Sequence, residues 1–282
     1  MAERLRDAIA KARAARMVGL ARSAGDVMVN QRAGHVGGAW NALKPFEPNP
    51  VQLRTSRVVA REGGAEAAPF DLMRTKILQQ MRTNGWTRLA ITSPTAGCGK
   101  STIALNLAFS FARQHELYSL LIEADLRRPT LARLLQIEQS EPPGPQMSDV
   151  FTGAAEFADH ARRIGDNFAL GVNSRPAGRP SELLNASTTP QALKRIEAIY
   201  APDLVIFDTA PVLVSDDTLA LAEHVDCVLI IAAAEESTIK QIDLCERELA
   251  ERTNVMGVVV NKFRFAAPEY GYGYGYDYEA EG

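Results

Sequence analysis

Short apolar runs alternate along the chain with longer stretches in which apolar positions recur at three- and four-residue spacing, the pattern of β-strands alternating with α-helices. The strands are expected at 89–92, 118–122, 168–172, 204–207, 227–231 and 255–260, and the clearest helices at 69–82, 103–108, 191–200 and 237–252. Strands that are apolar throughout are buried on both faces. The expected fold is therefore α/β, with a mostly parallel central sheet flanked by helices. Residues 2–22 also carry helical spacing through Leu5, Ile9, Ala12 and Leu20, with Arg4, Arg6, Lys11, Arg13, Arg16 and Arg22 outnumbering Glu3 and Asp7. Such a basic amphipathic helix suits an anionic surface or a partner. From 23 to about 67 no period persists, which predicts a linker with Trp40 and Phe46 as candidate anchors. The expected organisation is an N-terminal basic helix and linker over 1–56, an α/β domain over 57–266 and a flexible tail over 267–282.

Composition narrows the setting. A net charge of −3 on 282 residues gives no reason to expect nucleic-acid binding. Cys98, Cys227 and Cys245 have no metal-type spacing and fit a reducing compartment. The longest apolar run, 227–234, has eight residues, far short of the roughly 18 that a membrane span needs. No secretory apolar region opens the chain, so the expectation is a cytoplasmic protein without a span of its own.

One stretch carries the chemistry. Ser93-Pro94-Thr95-Ala96-Gly97-Cys98-Gly99-Lys100-Ser101-Thr102 follows the first strand and leads into a helix. That is the layout of a phosphate-binding loop, with backbone N–H groups of Gly97, Cys98, Gly99 and the residues after them cradling phosphates. Lys100 reaches the outer phosphate oxygens and the Ser101 hydroxyl ligates Mg2+. The helix N-terminus adds its positive dipole end. Pro94 stands where the strict Walker pattern has glycine.

Further polar residues close other strands, and ligands of parallel sheets bind at the strand carboxyl ends. Asp208 ends an apolar strand in the Walker B manner and joins Ser101 as a metal group. Glu123 and Asp125, two residues apart on an extended segment, are expected to point the same way. Beside Mg2+ they can divide the work, one orienting metal water and the other accepting a proton from an attacking hydroxyl. The metal set is thus Ser101, Asp125 and Asp208. Arg127 can bind phosphate or pair with these acids, and the Asn261 amide can hydrogen-bond a purine edge.

The tail is the second unusual stretch. Tyr270, Tyr272, Tyr274, Tyr276 and Tyr278, five of seven tyrosines, alternate there with glycine or an acid. Beside a nucleotide site they read as phosphoacceptors. Full phosphorylation would add roughly −7 to −10 charges.

Taken together, "TSPTAGCGKST", "LLIEADLRRP", "GRPSELLN", "LVIFDTAPVLVSDD", "GVVVNK" and the tyrosine-rich end resemble the bacterial tyrosine autokinases of exopolysaccharide and capsule synthesis. The resemblance implies a P-loop NTPase fold and MgATP-dependent autophosphorylation of the tail tyrosines, in trans within a homo-oligomeric ring. It implies catalytic roles for Lys100, Glu123, Asp125, Arg127 and Asp208, nucleotide contacts from Gly97 to Thr102, and a separate membrane co-polymerase adaptor as partner. Glu123 stands where the family usually has aspartate. Asp71, Arg74 and Ile77 occupy its Glu-x-x-Arg-x-x-Arg oligomerisation motif. Two other readings compete: a partitioning or division-site switch ATPase, which has a second lysine where Thr95 stands here, and a nucleotide-binding scaffold without kinase activity.

Overall fold

The computed structural model describes residues 37–137 and 143–263; the basic segment 2–22 and the tail tyrosines lie outside them. Eight strands form one sheet in the order β1-β4-β5-β3-β6-β2-β7-β8. They are β1 (Lys44–Pro45), β2 (Arg88–Thr92), β3 (Ser119–Glu123), β4 (Arg162–Ile164), β5 (Phe168–Gly171), β6 (Leu204–Asp208), β7 (Cys227–Ala233) and β8 (Asn254–Asn261). Every neighbouring pair is parallel except β4 with β5. A strand of alternating side-chain direction with both faces buried feeds two cores, and β6 does so plainly. Its Leu204 and Ile206 face one core while Val205 and Phe207 face the other.

The first core is closed by α1 (Pro50–Thr55), α2 (Ala68–Asn84), α3 (Lys100–Ala112) and α4 (Leu131–Leu135). The second is closed by α5 (Met147–Thr152), α6 (Phe157–His160), α7 (Pro180–Asn185), α8 (Thr188–Tyr200), α9 (Asp217–Ala222) and α10 (Ile239–Ala250). Local chemistry sets several ends. Helix α2 stops at Gly85, whose φ of 68° is the left-handed conformation that glycine adopts freely. Helix α10 starts on Thr238, whose Oγ1 accepts the Gln241 N–H at 3.2 Å, while Gln241 returns a side-chain oxygen to the Thr238 N–H at 2.9 Å.

The expected linker needs correction from residue 37 onward. Residues 37–42 are helical, β1 joins the sheet edge, and α1 packs on the first core. Trp40, 1% exposed, donates Nε1–H to the Tyr200 carbonyl at 2.8 Å and meets Tyr118 edge-on at a centroid distance of 5.0 Å. Trp40, Leu43 and Leu53 belong to the cores, so the packed unit reaches back past residue 57. These elements are too short to show a period, so only the aromatic anchor betrays them. Phe46 is partly buried against the first core.

Asn106, in the middle of α3, ties this entry segment to the loop-bearing helix. Its side-chain oxygen accepts from Val59 N and Ala60 N at 2.8 and 3.0 Å, and its amide donates to Arg57 O and Thr102 O, both at 2.9 Å. On α2, Asp71 accepts from Ser110 Oγ at 2.6 Å, Arg74 at 3.0 Å and Arg113 at 2.9 Å. Asp71 and Arg74 are therefore engaged within this chain, and Ile77 is in the core. Among the described residues no helix is long and apolar enough to cross a membrane.

Candidate functional site

The turn between β2 and α3 bends through Gly97 and Gly99, with φ of 85° and 89°. A side chain is strained at such angles, and a Cβ on Gly99 would overlap the Asn261 amide nitrogen. That amide donates to Cys98 O at 2.8 Å. Asn261 thus braces the loop from the end of β8 and does not line the cavity beside it. The amide expected at a purine edge here donates to the loop. Cys98 is buried, with Sγ 3.3 Å from Thr95 O and 3.6 Å from Ser237 Oγ. Burial alone would push its thiol up, but these hydrogen bonds bring it below the usual value.

The loop opens on a cavity of about 320 Å3 lined by Gly97, Gly99, Lys100, Ser101, Thr102 and Asp125, together with Arg127, Arg128, Thr130, Arg133, Pro211 and Val214. Register places the acids at its base: Glu123 pairs with Asp208 across β3 and β6. The Asp208 carbonyl accepts Ala124 N and Asp125 N at 2.8 and 2.9 Å, which carries the chain off β3 toward the loop. Lys100, 9% exposed, donates to Asp125 Oδ2 at 2.7 Å and stands 3.7 Å from Asp208 Oδ1. Burial pulls the Lys100 pKa down, yet Asp208 and Asp125 outweigh it and hold the ammonium charged.

Asp208 is fully buried, and its carboxylate faces the Lys100 ammonium, 3.7 Å from Oδ1, and the Ser101 hydroxyl, with no closer hydrogen bond to either oxygen among the described residues. Burial raises its pKa, against the pull of Lys100. Buried carboxylate oxygens are nearly always closely bonded, and two without a close hydrogen bond beside a serine hydroxyl form a hard-oxygen donor set that fits Mg2+. Ser101, Asp208 and Asp125 are the residues that would hold it.

Two expectations change. Glu123 and Asp125 do not share a task. Glu123 Oε1 accepts Thr130 N and Leu131 N at 2.5 and 2.8 Å, and Oε2 accepts Asn173 N at 2.7 Å. Its carboxylate anchors the start of α4 and does not line the cavity; only Asp125 does. The extended geometry that would align the two acids ends with β3 at Glu123. Burial pushes Glu123 up to about 8 even though these N–H groups pull the other way. Arg127, in turn, pairs with neither of these acids. It forks onto the buried Asp217 at 2.6 and 3.0 Å and reaches Asp216 at 3.7 Å. Asp217 is the partner that pattern reading misses, because 90 residues separate it from its arginine.

A phosphate cradle, a buried lysine and buried strand-end carboxylates at the rim of a parallel sheet define a P-loop nucleotide-binding protein. Residues 89–269 match the family model described as the CobQ/CobB/MinD/ParA nucleotide binding domain. EpsB of Ralstonia nicotianae is 31% identical over 252 residues, 84% of this chain and 32% of its own length. The tyrosine-protein kinase YwqD of Bacillus subtilis is 30% identical over 184 residues, 64% of this chain and 75% of its own. The solved kinase domain of the Escherichia coli tyrosine kinase ETK is 25% identical, with a TM-score of 0.65 over 82% of this chain and 88% of that one. This chain belongs to the CobQ/CobB/MinD/ParA nucleotide-binding family and, within it, to the bacterial tyrosine kinases. It spans about a third of EpsB and three quarters of YwqD.

Proposed function

We propose that this protein is an ATP-dependent protein-tyrosine kinase whose nearest substrate is the tyrosine cluster of its own C-terminus. The observation that carries the reading is the fully buried Asp208 carboxylate beneath the loop, 3.7 Å from Lys100 and beside the Ser101 hydroxyl. In this reading Lys100 and the loop N–H groups hold the β- and γ-phosphates of ATP. Bound Mg2+, on Ser101, Asp208 and Asp125, would neutralise charge that develops on the transferring phosphoryl oxygens. Asp125 accepts the proton of the attacking tyrosine hydroxyl. The new bond joins tyrosine Oη to the γ-phosphorus, the bond to the β,γ-bridging oxygen breaks, and ADP leaves. Arg127, fixed in direction by Asp217, keeps a cation at the cavity wall.

The resemblance to capsule and exopolysaccharide kinases supports a role in polymerisation and export, with recruitment to the membrane by a separate co-polymerase adaptor. Homo-oligomer assembly in this reading uses surfaces other than the Asp71 and Arg74 contacts, unless their bonds to Ser110 and Arg113 break. The switch-ATPase reading is disfavoured by Thr95 in the place of its second lysine.

The test is incubation with MgATP and detection of phosphotyrosine in wild type, Lys100→Met and a chain ending at Ala267. Signal is expected in the wild type alone. Phosphotyrosine that survives Lys100→Met would overturn the reading, and ATP hydrolysis with an unmodified tail would favour the switch ATPase.

A further inference from the structure

Three arginines line the cavity, and they are not equivalent. Arg127 is committed to Asp217. Arg128 contributes its main-chain N–H to Asp125 Oδ1 at 3.1 Å, but its guanidinium, like that of Arg133 on α4, is exposed and meets no acid among the described residues. Two uncompensated cations lining the cavity of a phosphate loop have a physical consequence. The site must bring a triphosphate close to whatever it phosphorylates. The tail beyond 266 holds Glu269, Asp277, Glu279 and Glu281 and no base. Like charges repel on approach, and cations placed between them remove the penalty and steer the encounter. Beside these arginines, Pro211 and the exposed Val214 offer an apolar rim on which an aromatic ring can rest.

We propose that Arg128 and Arg133 are specificity residues that select acceptor tyrosines flanked by carboxylates. The inference rests on the kinase reading above and names the substrate class of that site: tyrosines within a run of acids, as at Tyr276-Asp277-Tyr278-Glu279. Neutral or basic tyrosine segments lose the attraction and meet the cationic wall unassisted.

The experiment uses the full chain and two peptides. One carries residues 267–282; the other carries the same residues with Glu269→Gln, Asp277→Asn, Glu279→Gln and Glu281→Gln. Peptide phosphorylation is followed by mass. The wild type is expected to show a KM for the acidic peptide about tenfold below that for the amide peptide, the scale of two exposed ion pairs. In Arg128→Gln/Arg133→Gln the two peptide KM values converge. Raising salt from 50 to 500 mM erases the wild-type preference, a readout that needs no variant. A preference that persists in the double variant or in high salt overturns the inference. So does a variant whose only change is a raised KM for MgATP. Equal use of both peptides by the wild type removes this inference and leaves the kinase; phosphotyrosine on neither peptide nor tail removes both.

Discussion

Asn173 grips Glu123 twice: its N–H donates to Glu123 Oε2 at 2.7 Å and its side-chain amide to the Glu123 carbonyl at 3.0 Å. With Thr130 N and Leu131 N on its other oxygen, the glutamate bridges β3, the start of α4 and the segment after β5. The extra methylene relative to aspartate is what lets one carboxylate reach all three. Glu123→Asp is therefore expected to strand at least one buried N–H, which costs about 1–3 kcal/mol. Denaturant unfolding should show that loss, and kcat per folded molecule should fall less than stability does.

The fork between Arg127 and Asp217 gives a different prediction. Asp217 is fully buried, and its other partner is Ser215 Oγ at 3.1 Å. Arg127→Lys cannot reproduce two parallel N–H donors, and about 2 kcal/mol should be lost, discounted because the arginine is half exposed. Arg127→Met/Asp217→Leu should recover part of that stability while leaving phosphotransfer impaired. A double-mutant cycle that shows no coupling would refute the pairing.

His160 predicts how stability responds to acid. It is 7% exposed, its Nε2 has no partner, and burial together with Arg162 holds it down to about 4, against a weaker opposing pull from Asp149. The folded protein keeps this ring neutral, whereas the unfolded chain takes up a proton below about 6.5. Its contribution is complete above 6.5 and is lost progressively as pH falls toward 4, reaching about 3 kcal/mol. Thermal melting of His160→Leu should show a flatter profile across that window than the wild type.

Gly99 makes the loop itself testable. Gly99→Ala combines a left-handed φ with a clash against the Asn261 amide, and should weaken ATP binding at least tenfold. Adding Asn261→Ser removes the clash and keeps the backbone strain, so binding by calorimetry should recover only in part.

How much of this was legible depended on length and distance. Strands β2, β3, β6, β7 and β8 are continuous apolar runs, and the loop and Asp208 sit at their carboxyl ends as the pattern demands. β1 and β4, two and three residues long and carrying Lys44, Arg162 and Arg163, have no pattern to read. Their pairing is set by packing around Trp40 and the short return from β4 to β5. Side-chain direction was the harder matter. Spacing assigned Glu123 and Asp125 to one face, but the strand ends at the first of them, and the N–H groups of α4 and Asn173 claim its carboxylate. Arg127 and Asp217, or Asn261 and Cys98, become partners only once the sheet has assembled.

Asn106 joins two parts of the molecule that have no neighbourly relation in sequence. All four of its side-chain bonds end on main chain, three of them on residues 57–60 and one on the first turn of the helix that starts at Lys100. The entry segment and the phosphate-holding helix are thus riveted into a single mechanical part. A tug or a load applied ahead of residue 57 bears on the turn that carries Lys100 and Ser101.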